Sequence, residues 1–335
     1  MEKQLLNVHN LVTSFRTAEG RLSAVRGVSF SVDQQETLCI VGESGCGKSI
    51  TTLSVLQLLP SNGEITAGSI TFKGEELTTK KEEQMRKLRG NDISMIFQEP
   101  MTALNPVFTI GYQLKEPLKL HTKLNKTETR NRAIELLQQV GIPNSEKRLK
   151  QYPHELSGGM RQRVMIAIAL ACNPALLIAD EPTTALDVTI QAQILDLIDD
   201  LKAELGMGVV MVTHDMGVVA EVADRVMVMY AGNVVETGTV EEIFSNPQHP
   251  YTQGLLASVP NVDDASQKLE AIPGSLPNLS EKIEGCRFHP RCPYAMEKCM
   301  EQEPPSFKIS DHHQSKCWLQ EEEVNSHDRK HRAYS

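Results

Sequence analysis

Between a short apolar run, Thr37-Leu38-Cys39-Ile40-Val41, and a stretch with helical spacing from Lys48 to Leu59, the chain reads Gly42-Glu43-Ser44-Gly45-Cys46-Gly47-Lys48-Ser49. Glycine, four residues, then glycine-lysine-serine in a strand–loop–helix context predicts a loop curled around an anion. The glycines let successive backbone N–H groups point inward at phosphate oxygens. The following helix turns its positive end toward the same point. Lys48 supplies a full charge to the β- and γ-phosphates, and the Ser49 hydroxyl is suited to Mg²⁺. A nucleotide triphosphate fits this constellation, with residues 42–49 all in contact with it.

A second element completes such a site. Ala175-Leu176-Leu177-Ile178-Ala179 is an apolar run that ends in Asp180-Glu181. Asp180 is placed to hold Mg²⁺, directly or through water, and Glu181 to act as general base on the attacking water. Alone the pattern is weak, since many core strands end in an acid; beside a phosphate loop it is specific.

Around these elements the chain alternates strands and helices. Residues 5–12 and 24–32 show strand alternation with a turn at Ala18-Glu19-Gly20, predicting an antiparallel layer. Residues 75–90 are charged and helical in pattern, Ile93–Phe97 reads as a strand, and 110–170 is mostly helical, with loops near Pro143 and Pro153. Strand 175–180, helix 188–205, strand 209–214 and helix 216–223 follow, then a hairpin turning at Gly232-Asn233. This alternation predicts an α/β fold with a parallel sheet covered on both faces. Near Pro260 long apolar runs give way to prolines and cysteines, predicting a boundary: a nucleotide-binding domain over 1–260 and an appendage over 261–335. The final residues, NSHDRKHRAYS, are expected to be disordered.

Further motifs narrow the reading. Leu156-Ser157-Gly158-Gly159-Met160, followed by Arg161-Gln162-Arg163, resembles the signature motif of ATP-binding-cassette (ABC) ATPases. Gln98 is similar to the family's Q-loop, Ala185-Leu186-Asp187 to its D-loop and His214 to its switch histidine, all in the family's order over residues 5–260. The resemblance implies a P-loop NTPase core with an antiparallel β layer and a helical subdomain at about 99–165. It implies that Ser157, Gly158 and Gly159 cover ATP held by a second subunit in a head-to-tail dimer, with the D-loop Asp187 also on ATP. It also implies Gln98 on Mg²⁺ and the attacking water, His214 on the γ-phosphate, and Phe15 stacked on adenine. Two bland readings stand beside these: Asp187 as the N-cap of helix 188–205 and Phe15 as ordinary packing. Met160 departs from the commonest signature, which has Gln there. Cys46 beside a helix N-terminus suggests a lowered thiol pKa, so that alkylation would inactivate the protein and ATP would protect it.

The stretch Gln98-Glu99-Pro100-Met101-Thr102-Ala103-Leu104-Asn105-Pro106 resembles the D-type ATPase of oligopeptide and dipeptide importers, as do Asn246-Pro247-Gln248-His249-Pro250-Tyr251-Thr252 and the tail CRFHPRCPYAMEKC. The resemblance implies an F-type ATPase partner, two membrane permease subunits docked on the helical region, and an extracytoplasmic substrate-binding protein. Nickel and glutathione importers share much of this pattern. A soluble ABC ATPase acting on nucleic acid or translation usually has two cassettes or a long coiled coil, and neither occurs here. The ATPase of iron–sulfur assembly lacks the importer loop.

Composition agrees. The formal net charge of −9 gives no general basic footprint for nucleic acid. The longest uninterrupted apolar run, Val164 to Cys172, is nine residues, against about 20 for a spanning helix. MEKQLLNVHN has no apolar stretch of the kind a signal peptide needs. The expected location is therefore the cytoplasmic face of the membrane, held peripherally through partners.

Of seven cysteines, Cys286, Cys292, Cys299 and Cys317 crowd near the end. Paired C-x2-4-C spacing, usual for structural zinc, is absent. Four loosely spaced thiolates suit a [4Fe–4S] cluster, which some members of the peptide-importer group carry at this motif. His289 is a possible substitute ligand, and Zn²⁺ or free thiols are the alternatives.

Overall fold

The computed structural model describes residues 4–18, 20–98, 103–184, 187–258 and 272–321. Two sheets organise it. Strands β1 (Gln4–Thr17), β2 (Gly20–Asp33), β4 (Gly63–Phe72) and β5 (Glu75–Glu76) form an antiparallel sheet in the order β2-β1-β4-β5. The central sheet contains β3 (Thr37–Val41), β6 (Ile93–Ile96), β7 (Leu176–Asp180), β8 (Gly208–Thr213), β9 (Arg225–Tyr230), β10 (Asn233–Thr239), β11 (Phe307–Lys308) and β12 (Gln314–Ser315). Its order is β11-β12-β10-β9-β3-β8-β7-β6. Strands β9, β3, β8, β7 and β6 run parallel, while β10, β12 and β11 join antiparallel.

The apolar runs are continuous because both faces of the central sheet are buried. Side chains alternate across the pleat. Leu38, Ile40, Leu176, Ile178, Val210 and Val212 face the antiparallel sheet. Cys39, Val41, Leu177, Ala179, Val209 and Met211 face the helices. The phosphate loop and the ends of β7 and β8 thus emerge from the carboxyl edge of one rigid sheet, where ligands of open α/β folds bind.

Three local differences from the sequence reading have physical causes. The helix after the phosphate loop is Lys48–Val55, short of Leu59, because Gln57 adopts a left-handed conformation (φ 51°). Its amide donates to the Leu77 carbonyl. The late hairpin turns at Ala231-Gly232, one residue earlier than expected, both with positive φ. Such a two-residue turn matches the twist of the flanking strands. Within the charged stretch 75–90, only Glu82–Leu88 is helical.

The C-terminal segment 272–321 is built onto this core. Ser315 pairs with Glu236, so β12 extends the central sheet. Phe288 sits against Tyr230 and Tyr251 with ring centroids 5.1 and 5.4 Å away. The expected boundary near residue 260, the tail after residue 321, and residues 99–102 and 185–186 lie outside the described residues.

Candidate functional site

Residues 42–49 leave β3 as a tight loop. Gly42 and Gly47 have φ of +148° and +107°, a region that disfavours side chains. A Cβ on Gly47 would also come within 2.7 Å of the Ala24 carbonyl oxygen. Ser44 and Gly45 are exposed at the loop's crown, while Lys48 is buried. The Lys48 ammonium donates to the carbonyls of Gly42 (2.7 Å) and Glu43 (3.0 Å). It is therefore aimed into the loop, where a phosphate oxygen can replace those carbonyls.

Ser49 and Asp180 adjoin: the Ser49 hydroxyl donates to Asp180 Oδ1 at 3.1 Å. Burial raises the Asp180 pKa; the Ser49 hydrogen bond and the Lys48 charge oppose this, and the Glu181 charge adds to it. A divalent cation beside Ser49 and Asp180 would reverse that balance, because the ion's own charge dominates such a site. The residues present therefore fit Mg²⁺, with one hydroxyl and one carboxylate from the protein and the remaining positions for water and phosphate.

Glu181 follows directly, in a left-handed conformation (φ 47°). A non-glycine residue held there is strained, and such outliers gather at functional sites. Three side chains grip its carboxylate. Gln98 Nε2 donates to Oε2 at 2.9 Å, the Thr184 hydroxyl to the same oxygen at 2.9 Å, and His214 Nδ1 lies 3.1 Å from Oε1. Burial would raise the Glu181 pKa, but these hydrogen bonds from His214 and Thr184, with the charges of His214 and Lys48, hold it below the usual range. The carboxylate stays ionised beside the Ser49–Asp180 pair, as a group that polarises water must.

The remaining expected residues are placed as follows. Ser157 caps the helix Gly158–Ala169, accepting from the Met160 amide, and Ser157 and Gly158 face solvent. Asp187 caps the helix Val188–Leu205, accepting from the Ile190 amide at 2.9 Å, which is the structural role weighed above. Ala185 and Leu186 fall outside the described residues. The half-buried ring of Phe15 lies over Gly63, where a Cβ would come within 2.8 Å of it.

One expectation is reversed. Cys46 is wholly buried, and burial pushes its thiol pKa up despite the Lys48 charge. The helix end does not overcome desolvation here. We therefore expect maleimide to modify Cys46 at least about tenfold more slowly in the folded protein than in urea, measured by peptide mass spectrometry. Equal rates would show that the loop opens readily.

Cys286, Cys292, Cys299 and Cys317 line one small cavity, together with His289 and Trp318. Burial raises the thiol pKa of Cys286 to about 11 and of Cys317 to about 12, and neighbouring cysteine charges add to the shift. His289 turns Nδ1 toward the Cys286 carbonyl at 2.9 Å. All four cysteines thus border the same cavity. Among the described residues, however, no group of three or more His, Cys, Asp or Glu side chains is arranged to hold a metal ion, so the expected [4Fe–4S] or zinc ligand set is not displayed.

Sequence reasoning missed Thr184, which is legible only as a hydroxyl three residues past Glu181, and Arg291. The Arg291 guanidinium forms two bonds to the Glu43 carboxylate, at 2.6 and 2.9 Å. No local pattern signals a partner 248 positions away.

Comparison with known proteins gives the chain's family and fold. The family described as "ABC transporter" matches residues 25–184, and that described as "Oligopeptide/dipeptide transporter, C-terminal region" matches residues 235–299. The chain is 55% identical over 318 residues to the oligopeptide transport ATP-binding protein OppD of Bacillus subtilis, covering 94% of this chain and 89% of that one. It is 52% identical to the dipeptide transport ATP-binding protein DppD of Lactococcus lactis, covering 95% and 91%. Among solved structures, an ATP-binding cassette captured as a dimer after hydrolysis, bound to ADP and Pi, superposes with a TM-score of 0.64. It is 28% identical and covers 70% of this chain and 99% of its own.

Proposed function

The chain belongs to the ABC-transporter ATP-binding family, in its oligopeptide/dipeptide branch, and from that premise we propose that it hydrolyses ATP to power peptide import. The observation that carries the catalytic reading is Glu181, held by Gln98, Thr184 and His214 beside the Ser49–Asp180 pair. In this reading Lys48 and the loop amides bind the phosphates, and Ser49, Asp180 and Gln98 hold Mg²⁺ and its waters. Mg²⁺ draws charge from the β- and γ-phosphates when bound. Glu181 orients and deprotonates the attacking water, and His214 steadies the γ-phosphate. Phe15 stacks on the adenine.

Ser157, Gly158, Gly159 and Asp187 complete the site of a second subunit in a head-to-tail dimer. The exposed signature end of Gly158–Ala169 supports this, as does the dimeric cassette to which the fold is similar. The second subunit is an F-type ATPase, and residues 1–260 form the cassette with 261–335 as its importer-type extension. A groove of about 400 Å³, lined in part by Leu58, Met95, Phe97, Leu120 and Met165, suits a short apolar segment of one permease. Phe97 and Leu120 are exposed there. Among the described residues no helix is long and apolar enough to cross a membrane, so attachment to the cytoplasmic face runs through the permeases. The relatives' names supply the substrate class, and an extracytoplasmic binding protein delivers the peptide.

The four cysteines sharing one cavity support a [4Fe–4S] cluster as the group they serve. Structural zinc usually takes thiols in C-x2-4-C pairs, and the C-x5-C-x6-C-x17-C spacing here has none. Anaerobically purified protein is expected to contain iron and acid-labile sulfide in equal amounts. Stoichiometric zinc, or neither metal, would refute the cluster.

The transport reading is tested by uptake of labelled di- and oligopeptides, with Ni²⁺ in parallel, in cells carrying wild type or Glu181→Gln. We expect peptide uptake alone to fail. Retained peptide uptake with falling Ni²⁺ uptake would overturn the substrate class.

A further inference from the structure

We propose that Arg291, in the cysteine-bearing C-terminal segment, is a positioning residue of the nucleotide site: it neutralises and fixes Glu43 inside the phosphate loop. This rests on the ATP-site reading given above.

Glu43 is the loop's second residue and its one acidic side chain. An anion at that place opposes the triphosphate that the loop must hold, unless something cancels it. Arg291 does so with a two-pronged contact, Nη1 to Oε2 at 2.6 Å and Nη2 to Oε1 at 2.9 Å. The arginine is buried and the carboxylate half-buried, so solvent screens the pair only in part. Its position is fixed from several sides. Nε donates to the Pro273 carbonyl at 2.8 Å, and Nη1 donates to the Tyr230 hydroxyl at 3.4 Å. The Tyr230 ring lies 5.7 Å from the guanidinium carbon.

The backbone of Glu43 is secured at the same time. Its N–H donates to the Tyr251 hydroxyl at 2.8 Å, and its carbonyl accepts from Lys48. When Lys48 turns to a phosphate, the carbonyl contact is given up. Tyr251 then remains to hold the loop's backbone, while Arg291 goes on cancelling the charge of Glu43. Leu276 lies beside Gly45, 3.6 Å from where a Cβ would stand. The C-terminal segment therefore bonds to the loop at Glu43, through the residue just before Cys292, and brings Leu276 close to Gly45.

A brace and a charge-cancelling residue predict different outcomes. In the full chain with Mg²⁺, Arg291→Ala is expected to raise the Kd of a fluorescent ATP analogue about tenfold, through loss of a charge-assisted bidentate pair. In the assembled transporter KM should rise more than kcat falls. The uncancelled charge is the cause, so Arg291→Ala/Glu43→Gln is expected to return Kd to within about threefold of wild type. Arg291→Lys, which keeps the charge, should lie between them. If Arg291→Ala does not accumulate as folded protein, Arg291→Gln carries the same comparison. An unchanged Kd in the single variant, or a double variant as weak as the single one, overturns the proposal. Lys48→Ala serves as the control: if that variant also binds normally, the ATP-site reading itself has failed.

Discussion

Glu181→Gln is expected to lower the ATPase rate of the assembled transporter by about 10²–10⁴-fold, the usual contribution of a positioned general base. ATP affinity should stay within a few-fold of wild type. The substitution is nearly isosteric, so the contacts from Gln98, Thr184 and His214 can largely be re-made around the amide. What disappears is the negative charge that draws a proton from water. Because Glu181 is held below the usual carboxylate range, it stays ionised as pH falls until below that range. Its contribution to rate, and to stability, is present above the unfolded pKa and is lost only as pH drops through the lowered folded value. Single-turnover hydrolysis measured from pH 5 to 8 checks both points. A variant that hydrolyses within tenfold of wild type would remove Glu181 from the chemistry.

Lys48→Ala acts earlier, at binding. A buried ammonium aimed into the phosphate loop makes charge-assisted bonds worth about 1.5–3 kcal/mol each. Losing it should weaken MgATP binding by at least about 10²-fold. The same change frees the carbonyls of Gly42 and Glu43, so the empty loop is also expected to loosen, with a small fall in Tm. Isothermal titration on the purified chain reads the first effect, and thermal unfolding without nucleotide reads the second. Affinity within threefold of wild type would mean that phosphate is held by the loop amides alone.

Much of this was legible because the chemistry is local. Strand β3, the phosphate loop and its helix occupy adjacent residues, and Val188–Leu205 was legible to the residue from its cap, Asp187, and its left-handed stop at Gly206. The acids of β7 were readable because an apolar strand delivers them to the sheet's carboxyl edge. Strand β4 was not, since its sequence, GEITAGSITF, is largely polar on its half-exposed face. Its pairing with β1 is set by tertiary contact, with register shifts near Val12. Cys46 misled for a related reason: helix-end electrostatics can be read from neighbours in sequence, but desolvation depends on what covers the thiol. Arg291 lay furthest from reach, because its partner is defined only once the C-terminal segment has folded back onto Tyr230 and Tyr251.

The way β12 and β11 close the central sheet bears on solubility rather than catalysis. Strand β10 would otherwise present a row of open amides and carbonyls at the margin of the remaining six strands, the kind of border along which copies of a chain stack into aggregates. The closing strands are only two residues long, and the outermost carries Lys308, so the new border is too short and too charged to recruit a neighbour. A chain ending before Phe307 would retain every residue assigned to ATP, and we expect it to be lost to precipitation rather than to impaired chemistry.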